Sequence, residues 1–415
     1  MITVKPFRGV RPQPELVEQV AAPPYDVLNS DEARELARDN PYSFLHVNKP
    51  EIDLDPGIGP YDEKVYLKGA ENFRRFLSRG IIFQDKTPCF YVYRQIMGDH
   101  RQTGLVAAAS VEDYQADRIK KHELTRPDKE DDRLKHISYQ NAQVGPVFLT
   151  YKAVAEIDEI VDEIVRNTPV YDFHGEEDVQ HTLWVVDNPE TIARIESAFK
   201  NLDALYVADG HHRSAAATRL KIQRQAENPH HTGNEPYNFF LSVIFPHNQM
   251  QILDYNRVIK DLNGQSRAGF LQQLGSLFMV ENHGTEPFKP EKAHEFGMYL
   301  DKNWYKLTAK PQLIENGDPV KRLDVSILQE NVLSPILGIT NPRKDARIDF
   351  IGGTRGLKAL QERVDSGKWQ VAFALYPTSI QDLMGIADAG KTMPPKSTWF
   401  EPKLKSGLVV HLLDE

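Results

Sequence analysis

Along this chain the apolar residues switch between alternation, short unbroken runs and a spacing of three and four. Ile2 to Val4 reads as a strand, and Ser30 caps a helix with Ala33, Leu36 and Ala37 on one face. Phe44 to Val47 reads as a second strand, and Tyr66, Ala70, Phe73 and Leu77 form one stripe of a helix over 61–79 that Gly80 ends. Cys89 to Ile96 and Gln102 to Ser110 are β-rich on either side of Gly98-Asp99, which predicts a hairpin. The polar stretch from Ile119 to Arg133 leads into a predicted helix over 135–143. Strands are expected at 147–151, 170–173, 182–186 and 205–208, with helices at 157–167, 189–199 and from Ser214 to Ala226. Further on, 239–245, 251–253, 278–280, 304–308, 347–352, 371–376 and 408–412 read as strands. Segments 270–274, 291–300, 325–332 and 357–366 read as helices. Helices and strands mix without regular βα alternation, so the pattern predicts an α+β fold with a mixed-sheet core.

Length and charge narrow the picture. A chain of 415 residues exceeds one average domain. With neither an internal repeat nor a low-complexity linker, we divide it into segments 1–145, 146–265 and 266–415. A formal net charge of −9 argues against broad nucleic-acid binding, which calls for a basic face. The single cysteine, Cys89, excludes an internal disulfide framework and a cysteine-rich zinc site. Neither a transmembrane run nor a signal-peptide apolar region is present, so a cytoplasmic location is expected.

Candidate chemistry centres on Leu205-Tyr-Val-Ala-Asp209-Gly210-His211-His212-Arg213-Ser214. A strand emptying through a glycine onto a helix N-terminus makes an anion site, because the first helical amides lack internal partners and the dipole favours negative charge. His211, His212 and Arg213 add donors there, with Ser214 opening the helix. Adjacent histidines point to different sides, so joint ligation of one metal by His211 and His212 is not expected. The plain alternative is a helix start with surface histidines. A second cluster, His122 and Glu123 with Arg126, Asp128, Asp131, Asp132 and Arg133, offers a carboxylate base and oxygen ligands for Mg²⁺, or else a solvated charged loop. Pro23-Pro24 holds Tyr25 and Asp26 in an extended approach, and Lys396, Ser397 and Thr398 follow a second proline pair. No Walker A loop or Gly-x-Gly-x-x-Gly fingerprint occurs.

Taken together and in this order, Ala22-Pro-Pro-Tyr-Asp-Val27, His122-Glu123-Leu-Thr125 with Asp132-Arg133, Ala208-Asp-Gly-His-His-Arg213, and Met393-Pro-Pro-Lys-Ser-Thr398 with the stretch 400–407 resemble the prokaryotic "domain of unknown function 1015" family. That family's core is in turn similar to the ParB/sulfiredoxin fold, which would place a strand–turn–helix phosphate unit in segment 146–265. Its free serine kinases share Asp-Gly-His-His-Arg. The resemblance implies a phosphotransferase that uses ATP or ADP and Mg²⁺ on a small hydroxyl compound, free serine among the candidates. Gly210 to Ser214 would bind nucleotide phosphates, and Glu123 would activate the hydroxyl, with His122, Asp209, His211 and His212 in the catalytic set. Asp209 or Glu123 would hold the metal. Tyr25, Asp26, Arg126, Arg133, Lys396, Ser397 and Thr398 would contact substrate. A ParB-like nucleotide switch and a phosphohydrolase are the alternative readings. Expected partners are nucleotide and a small molecule, without membrane or nucleic acid.

Overall fold

The computed structural model describes residues 1–175 and 178–414. It forms two compact units, one of residues 1–250 with 402–414 and one of residues 251–401. This differs from the three segments expected, because the last stretch of chain returns to the first unit: His411–Leu412 pairs with Ala142–Gln143, and Val410 and Ser406 bridge to Val10 and Ala22.

In the first unit a nine-stranded mixed sheet runs in the order Ile119–Lys120, Leu205–Asp209, Val147–Tyr151, Phe239–Pro246, His100–Ser110, Phe90–Met97, Val179–Val186, Tyr171–His174, with Val4–Lys5 beside His100–Ser110. Two pairings are parallel, Leu205–Asp209 on Ile119–Lys120 and Phe239–Pro246 on Val147–Tyr151. The hairpin turns at Gly98-Asp99, with Met97 opposite His100. Leu205, Val207, Leu149, Phe240 and Ile244 belong to the main apolar core. Strict alternation would place Asp209 on the core face with Leu205 and Val207. The register instead shifts between Val207 and Asp209, which pair with Leu149 and Phe148, and this bulge takes Asp209 out of phase.

The second unit is a six-stranded antiparallel sheet in the order Phe278–Gly284, Asn303–Ala309, Glu295–Leu300, Val371–Leu375, Tyr255–Ile259, Ile348–Gly352. Helix Gly356–Asp365 packs on it through Leu360 and Val364, against Val258, Trp304 and Ala372.

Four sequence expectations are corrected. Residues 291–300 are not a helix; Glu295–Leu300 is a central strand paired on both sides and buried on both faces, so it lacks the alternation that marks a half-exposed strand. A Cβ at Gly297 would lie 2.4 Å from the Phe288 carbonyl, so this strand tolerates only glycine there. Phe44 to Val47 is not a strand but leads into helix Leu45–Asn48, a short apolar run whose period is unreadable. The helix expected at 135–143 is Pro127–Gln140: Pro127 opens it, Asp128 and Glu130 sit in its first turn, and its buried face includes polar groups, Asp132, His136 and Gln140. The helix expected from Ser214 begins at His211 and runs to Glu227. Among the described residues no helix is long and apolar enough to cross a membrane.

Candidate functional site

The N-terminus of helix His211–Glu227 gathers the first three motifs. Gly210 is its N-cap at φ 97°, and no side chain caps the helix. Arg213 and Ser214 donate their amides to the Gly210 carbonyl. The Gly210 amide donates to the Asp209 carboxylate, 2.7 Å. Ser214 is fully buried, and its hydroxyl donates to the His211 carbonyl, 3.0 Å, so it serves the helix backbone.

Asp209 is the electrostatic centre. Lys403 Nζ lies 3.4 Å from one carboxylate oxygen and Arg213 Nη2 4.0 Å from the other. Enclosure opposes ionisation, but the charges of Lys403 and Arg213 outweigh it and hold the carboxyl well below its ordinary value. The guanidinium of Arg213 is buried. It donates to the Pro146 carbonyl and pairs with Asp26 at 3.5 Å, while its Nε has no hydrogen-bond partner. Tyr25 lies against two arginines, the half-buried Arg133 at 3.7 Å and the buried Arg213 at 5.9 Å from the ring centre. Burial pushes its phenol up to about 12. Arg133 donates to Asp132 at 2.5 Å, and Asp132 also accepts from Tyr66, 3.0 Å. Tyr25, Arg133 and Arg213 line one small cavity of about 30 Å³ with His136 and Gln140.

The two adjacent histidines part company. His211 is buried and turns to His122: their Nε2 atoms are 3.4 Å apart and their rings are edge-to-face. His212, half-buried, accepts the Arg126 amide at 3.2 Å, tying the start of helix Pro127–Gln140 to that of helix His211–Glu227. Arg126 is exposed, its side chain paired with Asp128 at 2.7 Å. Burial lowers all three histidines, His122 to about 4 and His211 well below its usual value, so each is neutral at pH 7. Ligating atoms of His122, Glu123 and His211 all lie within 4.8 Å of one another.

Lys396, Ser397 and Thr398 belong to the second unit. Ser397 is buried and donates to the Pro394 carbonyl, 2.6 Å, and Lys396 lends its carbonyl to Arg257, 2.9 Å. Residue-by-residue reading missed Lys403, whose only signal was its place within the 400–407 motif, and missed the pairing of His122 with His211, which has no local signal.

Comparison with known proteins adds a family. No curated protein matches the chain. Among solved structures, a free serine kinase in complex with AMP is similar at 13% identity, over 71% of this chain and 86% of that chain, with a TM-score of 0.34. SbnI with a C-terminal truncation, from Staphylococcus aureus, is similar at 12% identity over 72% and 85%, TM-score 0.38. A conserved hypothetical protein from Pyrococcus furiosus is similar at 13% identity over 73% and 95%, TM-score 0.33. Likenesses this distant assign neither activity nor ligand. The family described as "Protein of unknown function (DUF1015)" matches residues 4–326, and the chain belongs to it.

Proposed function

We propose that this protein is a nucleotide-dependent phosphotransferase acting on a small hydroxyl compound, with the strand–turn–helix at Asp209 as a ParB/sulfiredoxin-like phosphate cradle. One observation carries the reading: a helix start without a side-chain cap, reached through a left-handed glycine, has Asp209, Glu123, Lys403 and the Arg126 segment around it. Such a helix tip stabilises phosphate charge with amides that need not reorganise during transfer. Of the two arginines, the exposed Arg126 is the guanidinium we assign to phosphate, since its pair with Asp128 is open to solvent whereas Arg213 is buried against Pro146 and Asp26. Glu123 accepts the hydroxyl proton, and neutral His122 and His212 accept or relay protons without adding charge. Asp209, held ionised, is a poor proton acceptor at neutral pH and suits a positioning role. With Glu123 as the base, Asp209 is the carboxylate that would hold Mg²⁺, an ion commonly bound by one or two carboxylates plus substrate phosphates. When bound it would neutralise phosphate charge.

Phosphorus NMR of the protein with ATP or ADP, Mg²⁺ and a panel of hydroxy amino acids tests this. A phosphorylated alcohol is expected, lost in Glu123→Gln, with weakened nucleotide affinity in Arg126→Ala. Absence of any phosphorylated acceptor overturns the reading, and phosphate release without an acceptor marks a phosphohydrolase instead.

A further inference from the structure

We propose that His122, Glu123 and His211 form a binding site for a divalent transition-metal ion of the zinc class, distinct in chemistry from Mg²⁺. The argument begins with a distance. Two imidazole nitrogens bound to one tetrahedral ion at ~2.0–2.1 Å are separated by about 3.4 Å. The Nε2 atoms of His122 and His211 are 3.4 Å apart. That is long for a hydrogen bond between two neutral rings, whose usual range ends near ~3.2 Å. The rings meet edge-to-face at 85°, so the two nitrogens approach without the rings stacking. A carboxylate oxygen of Glu123 and one ring nitrogen of each histidine lie within 4.8 Å of one another, which completes a two-histidine, one-carboxylate set.

Composition of the set chooses the ion. Two imidazoles and one carboxylate suit zinc, iron, cobalt or nickel, whereas Mg²⁺ prefers oxygen alone. Both histidines are more than nine-tenths buried. Three protein ligands leave a position for water or a substrate oxygen. Each element is fixed independently: His211 is the first residue of its helix, while His122 and Glu123 follow the edge strand Ile119–Lys120 that pairs in parallel with Leu205–Asp209. The Val207 carbonyl lies against the His122 ring, and the charge of Asp209 favours a cation nearby. With such an ion bound, Glu123 would serve as a ligand instead of as the hydroxyl-activating base, and the ion would supply Lewis-acid chemistry. The site does not depend on the phosphotransfer reading.

Titration of the full chain, stripped by chelator, with Co²⁺ as a spectroscopic probe and Zn²⁺ as competitor tests this. Expected are one Co²⁺ per chain, the visible bands of a low-coordinate nitrogen–oxygen site, displacement by Zn²⁺, and indifference to millimolar Mg²⁺. His122→Gln, His211→Gln and Glu123→Gln should each weaken binding by about 100-fold or more. Glu123 is only half-buried, so Glu123→Gln carries the test should a histidine variant fail to fold. No saturable binding, or equal binding by wild type and Glu123→Gln, overturns the site. Intact Co²⁺ binding without phosphotransfer would sink only the kinase reading; phosphotransfer without Co²⁺ binding would sink only this one.

Discussion

Replacing Gly210 with alanine probes the geometry on which the whole site rests. At φ 97° this residue lies in the region that L side chains rarely adopt, beyond the usual left-handed minimum. Occupying left-handed backbone costs about 1–2 kcal/mol for a residue with a Cβ. The added carbon would also lie 3.2 Å from Arg213 Nε and 3.3 Å from Val147 Cα. The arginine has flexible bonds, but Val147 Cα is backbone of a central strand paired on both sides, so its displacement adds about 1 kcal/mol. Loss of glycine's freedom in the unfolded chain returns about 0.4–1 kcal/mol. The net expectation is a destabilisation of about 2 kcal/mol, equivalent to roughly 30-fold faster exchange through global opening of the first unit. Native-state hydrogen exchange of peptides covering Leu205–Glu227 reads this unit without interference from the second. Gly145→Ala is the control: its nearest neighbour would be Arg213 Cδ at 3.7 Å, ordinary contact, and its φ is not positive, so a change within about 0.5 kcal/mol is expected. If Gly210→Ala matches this control, the turn relaxes freely and the rigidity assigned to the helix tip is wrong.

Two further predictions concern the same region. Burial lowers His122 from 6.5 to about 4, so the unfolded chain binds the extra proton first; stability is full above pH ~6.5 and falls as pH drops toward 4, by ~3 kcal/mol at most from this residue. A urea-denaturation series from pH 7.5 to 4.5 should show this slope reduced in His122→Gln, and an unchanged slope would refute the buried neutral state. Asp132→Ala removes the partner of half-buried Arg133 and the acceptor of Tyr66, at a cost of about 3 kcal/mol, because a largely enclosed guanidinium is left without its counter-charge. A loss below about 1 kcal/mol in thermal unfolding of the first unit would mean that Tyr25 stacking alone supports Arg133.

The sequence by itself determined the parts whose cause is local. The run from Leu205 into Asp209-Gly210 announced a strand ending in a glycine turn, and periodicity placed the helices Glu63–Ser78, Ala155–Ile164 and Pro189–Lys200 closely. These signals arise from the period of side chains along one element and from glycine's access to positive φ. It also supplied the candidate residues, because phosphate and proton chemistry draws on few side-chain types.

What tertiary structure alone decided is which of those residues meet. His211 faces His122 and not its neighbour His212, because a parallel strand pair brings Ile119–Lys120 beside Leu205–Asp209. The bulge after Val207 takes Asp209 out of the core face, and the returning C-terminal stretch supplies Lys403. The two prolines hold Tyr25 where it lies against both Arg133 and Arg213, which are 80 residues apart in the chain. Residues 291–300 misled for the same reason, since burial of both faces erased the alternation that distinguishes a strand. Pairing across a sheet leaves no periodic trace in either partner strand, so a chain can announce its strands and its reactive residues while leaving their encounters to the packed fold.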